Sequence, residues 1–155
     1  MQKSKPQEMN GKGKIYAAID TNVLVSSLFS SDGTSNPSKV INAVLKGIIT
    51  PLYNSEIIEE YRDVLSRAKF RFRPELVDSL VSVFVECGID TPRTSVENEY
   101  FPDTDDIVFY EVAMSVDDAY PVTGNLKHFP KKCFVVTPLQ MVEILDKRGV
   151  PSITD

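Results

Sequence analysis

Three short stretches of this chain put carboxylate, hydroxyl or amide groups beside apolar runs. Asp20, Thr21 and Asn22 follow Ile15-Tyr16-Ala17-Ala18-Ile19; Asp103, Asp105 and Asp106 stand just before Val108, Phe109, Val112 and Ala113; Thr123, Gly124 and Asn125 follow Pro121-Val122. Glu59 or Glu60, midway along an otherwise well-patterned helical segment, adds another acid if that segment faces the same place. Carboxylates drawn to one point repel unless a cation neutralises them, and hard oxygen ligands suit Mg²⁺ or Mn²⁺. Such ions commonly act on phosphate oxygens and activate water, so the chemistry these residues permit is metal-assisted work on a phosphate group.

Other chemistries fit less well. A calcium EF-hand needs Gly at the sixth loop position and Glu at the twelfth, whereas counting from Asp103 finds Val108 and Met114. A phosphatase using Asp20 as nucleophile needs its second acid in a D-x-D arrangement, where this chain has Asn22. His128, the sole histidine, has no Ser or Cys partner in a recognisable nucleophile setting, which favours a capping or surface role.

The elements that must position these groups follow from periodicity. Ile15 to Ile19 reads as a strand buried on both faces, stopping at Asp20. Val23 to Phe29 has helical spacing, a Ser, Gly, Asn and Pro loop follows, and Val40, Ile41, Val44 and Leu45 predict a helix stopped by Gly47. Ile48 to Tyr53 is a second strand. Ser55 is a candidate N-cap for a helix with Ile57, Ile58, Tyr61, Val64 and Leu65 on one side. Pro74 opens another helix to Gly88, and residues 90–102 read as a surface connection. Acids at 103–106 start a further helix, favoured there by its dipole. Residues 118–123 form a turn and a short strand, Cys133 to Val136 another strand, and Pro138 opens a last helix through Leu145. This alternation predicts a three-layer α/β/α sandwich with a mostly parallel sheet, in which ligands bind beyond the carboxyl ends of the strands.

The chain has 155 residues, 42% hydrophobic and 25% charged, which suits one folded domain and excludes disordered, collagen-like and coiled-coil classes. A net charge of -5 argues against binding nucleic acid by bulk electrostatics and leaves only local basic strips. One such strip runs from Arg67 to Arg73, where Lys69, Arg71 and Arg73 alternate with Phe70 and Phe72: it can hold a phosphate backbone and stack a base, or be an exposed helix end over buried aromatics. Cys87 and Cys133 form no C-x-x-C and read as reduced core thiols. No apolar h-region or run of about 18 apolar residues is present, so the expected localisation is cytoplasmic. The expected organisation is a polar tail at 1–13, one domain at 14–149 and a short tail at 150–155.

In order and spacing, Ile19-Asp20-Thr21-Asn22-Val23-Leu24-Val25, Ser55 through Glu60-Tyr61, Asp103 and Asp106 with Ala113, and Val122-Thr123-Gly124-Asn125-Leu126-Lys127-His128-Phe129 resemble the PIN domain. The likeness extends over nearly everything from Ile15 to Leu145. It is most similar to the bacterial PIN subfamily described as toxin components of toxin–antitoxin systems, which share the opening D-T-N-V-L-V and the T-G-N-x-x-H-F segment. The resemblance implies an α/β/α sandwich and a Mg²⁺- or Mn²⁺-dependent endoribonuclease, with RNA as substrate, an antitoxin protein as partner and a homodimer as assembly. A non-catalytic PIN-like module binding RNA or protein is the alternative.

Carried over residue by residue, Asp20, Glu60 and Asp106 match the family acids and become the implied catalytic and metal-holding residues, with Asp103 a further acid beside them. Thr21, Asn22, Thr123 and Asn125 would orient those ligands. Many members carry Asp where this chain has Asn125, a departure that weakens a second metal position and leaves Asn125 to hold a water or an acidic ligand. The RNA-binding candidates are Lys69, Arg71 and Arg73.

Overall fold

The computed structural model describes residues 13–30 and 32–149, so the expected tails at 1–13 and 150–155 lie, Gly13 aside, outside the described residues. The chain runs β1 (Ile15–Ile19), α1 (Thr21–Phe29), α2 (Asn36–Leu45), β2 (Ile49–Tyr53), α3 (Ser55–Leu65), α4 (Pro74–Cys87), β3 (Ile89–Asp90), α5 (Ile107–Met114), β4 (Tyr120–Val122) and α6 (Pro138–Lys147). Single 3₁₀ turns sit at Ala68–Phe70, Thr104–Asp106 and Leu126–His128. The four strands form one sheet in the order β3-β2-β1-β4, and every pairing is parallel. This is the expected α/β/α sandwich.

Continuous apolar strands dictate the parallel arrangement, because a strand buried on both faces needs helices on either side. Ala17, Ala18 and Ile19 of β1 are fully buried; α5 packs against β1, β2 and β4, and α2 and α4 against β2. The chain steps from β1 to β2 to β3 in one direction, and β4 then joins the other side of β1. The strand order therefore reverses between β1 and β4, the place where an open α/β sheet leaves a crevice at its carboxyl edge.

Several local expectations are corrected. The N-cap of α3 is Asn54, whose side chain accepts the Ile57 N–H at 2.9 Å, and Ser55 is the first helical residue. The strand expected at Cys133 to Val136 reduces to a single parallel bridge between Val136 and Val122. That stretch is apolar because Phe134 stacks toward Tyr110 and Val135 is buried, not because it extends the ladder. Both cysteines are exposed: Cys87 lies on the last turn of α4, beyond the core, and Cys133 on the loop before the bridge. Among the described residues, no helix is long and apolar enough to cross a membrane.

Candidate active site at the β1/β4 crevice

Asp20 is the residue at which β1 gives way to α1, and Thr123 is the first residue after β4, so the strand reversal brings the two together. The buried Thr123 hydroxyl donates to Asp20 Oδ2 at 2.8 Å, across 103 positions of sequence. Asn22 closes the same corner: its amide nitrogen donates to Asp20 Oδ2 at 3.1 Å, and its Oδ1 accepts the Gly124 N–H at 2.9 Å. The Asn125 N–H in turn donates to the Thr123 hydroxyl oxygen at 3.0 Å. Of the four residues expected to orient an acid, Asn22 and Thr123 contact Asp20 with their side chains, whereas the Thr21 hydroxyl has no hydrogen-bond partner among the described residues and the Asn125 amide turns to His128.

Asp106 arrives from the other side, on the 3₁₀ turn that leads into α5. Asp103 caps that turn by accepting the Asp105 N–H at 2.9 Å and stays exposed. Asp106 itself is buried. Its carboxyl is pushed up to about 7, first by loss of water and then by the charges of Asp20 and Asp103, with His128 pulling the other way. Asp20 is also raised, by burial above all, with the Thr123 hydroxyl opposing. Burial is thus the leading cause for both carboxyls, and a cation bound between them would favour their charged forms.

Glu60 is half-buried on α3, its carboxyl raised by burial and then by Asp105, Asp63 and, more weakly, Asp20. It lines a cleft of ≈ 360 Å³ with Glu56, Glu59, Asp63, Arg93 and Asp105. Glu60 therefore sits on the flank of the Asp20 and Asp106 pair, sharing its field, rather than inside its hydrogen-bond network. Its neighbour Tyr61 is fully buried and donates its hydroxyl to the Ile19 carbonyl, which fastens α3 to the end of β1 next to Asp20.

The fit to a cation rests on two poorly satisfied buried oxygens. Thr21 Oγ1 has no hydrogen-bond partner among the described residues, and Asp106 Oδ2 makes no well-aligned hydrogen bond there, although His128 Nδ1 stands at ion-pair distance from it, 3.2 Å. Buried acceptors are ordinarily satisfied, and an all-oxygen donor set suits a hard divalent ion. As placed, no three His, Cys, Asp or Glu groups among the described residues stand close enough to hold an ion by themselves. The Asp20 and Asp106 pair would hold it with waters completing its coordination, as Mg²⁺ commonly does.

A family model described as PIN domain matches residues 16–127. The chain belongs to the PIN domain family. The match includes Asp20, Glu60, Asp106 and Asn125 and ends one residue before His128. No curated protein and no solved structure matches the chain. PIN domains are generally nuclease-like and generally use divalent metal ions, which agrees with the donor chemistry of the crevice.

Within the basic strip Arg67 acts on Glu60, but the aromatics set between Lys69, Arg71 and Arg73 pack at the end of α1 away from Asp20. Phe70 and Phe72 pack on Phe29 with ring centroids 5.7 and 5.0 Å away, and Phe29 is the last residue of α1 while Asp20 precedes its first. At about 1.5 Å per residue, the helix separates them by about 12 Å. Lys69, Arg71 and Arg73 are exposed around that aromatic cluster, Lys69 lying over the Phe70 ring. Sequence reasoning passed over two features nearer the acids. A groove of ≈ 390 Å³, lined by Leu126, Lys127, Lys131, Lys132, Val135 and Gln140 among others, begins directly after Asn125. His128, read as a surface or capping residue, stands with Nδ1 3.2 Å from Asp106 Oδ2, at ion-pair distance, and Nε2 3.1 Å from the Asn125 amide nitrogen. The signals for it were its place in the T-G-N-x-x-H-F segment and its spacing three residues after Asn125, which a 3₁₀ turn brings onto one side.

Proposed function

We propose that this PIN domain is a metal-dependent endoribonuclease that hydrolyses RNA phosphodiester bonds, acting as the toxin component of a toxin–antitoxin system. The observation that carries the catalytic reading is the pair of buried carboxyls, Asp20 and Asp106, brought to one crevice, both raised first by burial and Asp106 further by the charge of Asp20. Asp20 and Asp106, with Glu60 on the flank and Asp103 behind Asp106, would hold Mg²⁺ or Mn²⁺. When bound, such an ion polarises a phosphoryl oxygen and acidifies water. The chain's own residues do the rest: Thr123 and Asn22 fix the rotamer of Asp20, Asn125 and His128 flank Asp106, and burial keeps bulk water from screening the pair. Substrate phosphates would run along the Lys127, Lys131 and Lys132 groove, with Lys69, Arg71 and Arg73 as a more distant hold on the backbone. The toxin role, an antitoxin partner, homodimerisation and a cytoplasmic location rest on the sequence resemblance to the toxin subfamily.

The decisive experiment compares purified protein, free of any antitoxin and supplied with Mn²⁺, with its Asp20→Ala variant on a varied RNA pool. Metal-dependent cleavage lost in the variant is expected, and Asp20→Ala/Asp106→Ala should cost scarcely more than either change alone, because the acids act as one unit. Equal rates for wild type and variant would overturn the nuclease reading. Asn125 in place of an acid favours the second reading, a non-catalytic module that binds RNA or protein, which that result would leave standing. A neighbouring gene whose product relieves growth arrest on expression would support the toxin role, and harmless expression would remove it.

A further inference from the structure

We infer that His128 positions Asp106, and that Asn125 is the residue that sets His128 for this task by holding its ring with the proton on Nδ1. The inference rests on the Asp20 and Asp106 pair being the active centre.

Both faces of the imidazole ask for the same tautomer. On one side Nδ1 is 3.2 Å from Asp106 Oδ2. An ionised carboxylate can only accept, so a lone pair on Nδ1 would meet lone pairs on oxygen and be repelled, whereas an N–H there is attracted. On the other side Nε2 is 3.1 Å from the Asn125 amide nitrogen, which carries only hydrogens, so the ring must present its lone pair. The neutral ring with hydrogen on Nδ1 satisfies both contacts, and the opposite tautomer satisfies neither. Two further acids act on this corner, Asp20, which also interacts with His128, and Asp103, which acts on Asp106.

The scaffold holds the three residues rigidly enough for this to matter. Asn125 is tied through its backbone N–H to Thr123, and His128 is tied through its own N–H to the Asn125 carbonyl at 3.1 Å. Phe129, the next residue, is buried and packs edge-on against Phe101, whose ring packs against Tyr110 of α5. The turn bearing His128 and the helix that follows Asp106 are thus clamped by one aromatic stack. An amide at 125 is then not a failed ligand: an acid there would only accept, and would compete for the proton that Asp106 needs.

Because His128 is the sole histidine, nitrogen-15 correlation spectra of the full-length protein report on it without assignment. In a spectrum recorded at about pH 8, Nδ1 should appear protonated and Nε2 unprotonated, and Asn125→Asp should abolish that pattern. Mn²⁺ calorimetry and RNA turnover supply the second arm. His128→Ala should lower metal affinity or turnover about 10–100-fold with little change in KM for RNA. His128→Asn, whose amide nitrogen falls near the Nδ1 position, should recover most of the loss, while His128→Gln, which imitates Nε2, should not. A wild-type spectrum with the proton on Nε2, an Asn125→Asp spectrum like wild type, or equal rescue by Asn and Gln would overturn the inference. If wild-type protein cleaves no RNA, the nuclease reading falls by itself, and the spectra with the Mn²⁺ affinities of the variants still decide the role of His128.

Discussion

A buried acid with a raised pKa makes stability depend on pH in a direction opposite to that of a salt-bridged one. Asp106 takes up its proton near pH 7 in the folded chain but only near its ordinary value of 3.8 when unfolded. Between those values the folded state binds more protons, so stability falls as pH rises through this window and the penalty is fully present above 7. Asp106→Asn should therefore raise Tm at pH 8 by about 2–4 °C, the shift that about 1 kcal/mol produces in a domain of this size, and change it little at pH 4. Thermal melts without added divalent cation test this; equal gains at both pH values would mean that burial of the charge is not the cause. Added Mn²⁺ should reverse the order, stabilising wild type by about 2.7 kcal/mol at a hundredfold excess over its Kd and leaving the Asp20→Asn/Asp106→Asn variant unmoved.

The elements that carry these acids are fastened by contacts remote in sequence. Tyr61 reaches from α3 to the Ile19 carbonyl, one residue before Asp20. Tyr61→Phe keeps the ring against Phe84 and removes only the donor, so it should destabilise by about 1–3 kcal/mol through a buried carbonyl left unpaired. Chemical denaturation measures the loss; a change under a few tenths would show that water replaces the hydroxyl. Against the middle of β2, Gly88 lets α4 turn into β3 close to the backbone at Pro51. A Cβ there would strike the carbonyl oxygens of Pro51 and Phe84, neither of which can swing aside as a side chain would. Gly88→Ala should cost about 1–3 kcal/mol by overpacking although its φ is ordinary for alanine, and an unchanged denaturation midpoint would count against that close approach.

At the scale of the molecule, two oppositely charged surfaces stand out. In a chain of net charge -5, Glu56, Glu59, Glu60, Asp63 and Asp105 line one cleft, and Lys127, Lys131 and Lys132 line the groove after Asn125, where, among the described residues, Lys132 pairs with Glu99 at 3.2 Å. If RNA follows that groove, Lys127→Glu/Lys131→Glu should weaken binding of a single-stranded oligonucleotide. The slope of log K against log salt should fall by about 0.7 for each phosphate that the variant no longer neutralises. Neutralising Lys69, Arg71 and Arg73 should have the smaller effect, since they surround the aromatic cluster at Phe29, a helix length of about 12 Å from the start of α1. A larger effect from the 69–73 set, measured by titration at several salt concentrations, would put the RNA on the opposite side of the molecule.

Local pattern determined a good deal. Apolar runs of strand length at 15–19 and 49–53, helical periodicity from Ile57 to Leu65, Pro74 and Pro138 at helix starts and Gly47 after α2 are short-range properties, and they sufficed for the α/β class and for Asp20 at a strand end. They did not separate Asn54 from Ser55 as a cap, because both residues can accept an N–H and only backbone geometry chooses. Nor did they distinguish the apolar loop at 133–136 from a strand, since burial by packing and burial by laddering leave the same composition. What tertiary structure alone decided was adjacency. Thr123 meets Asp20 because β4 pairs with β1 and not with β3, and His128 meets Asp106 because two turns are clamped by Phe101 and Phe129. Neither pairing follows from spacing along the chain, since each is set by the order of strands in the sheet and the packing of rings between distant segments.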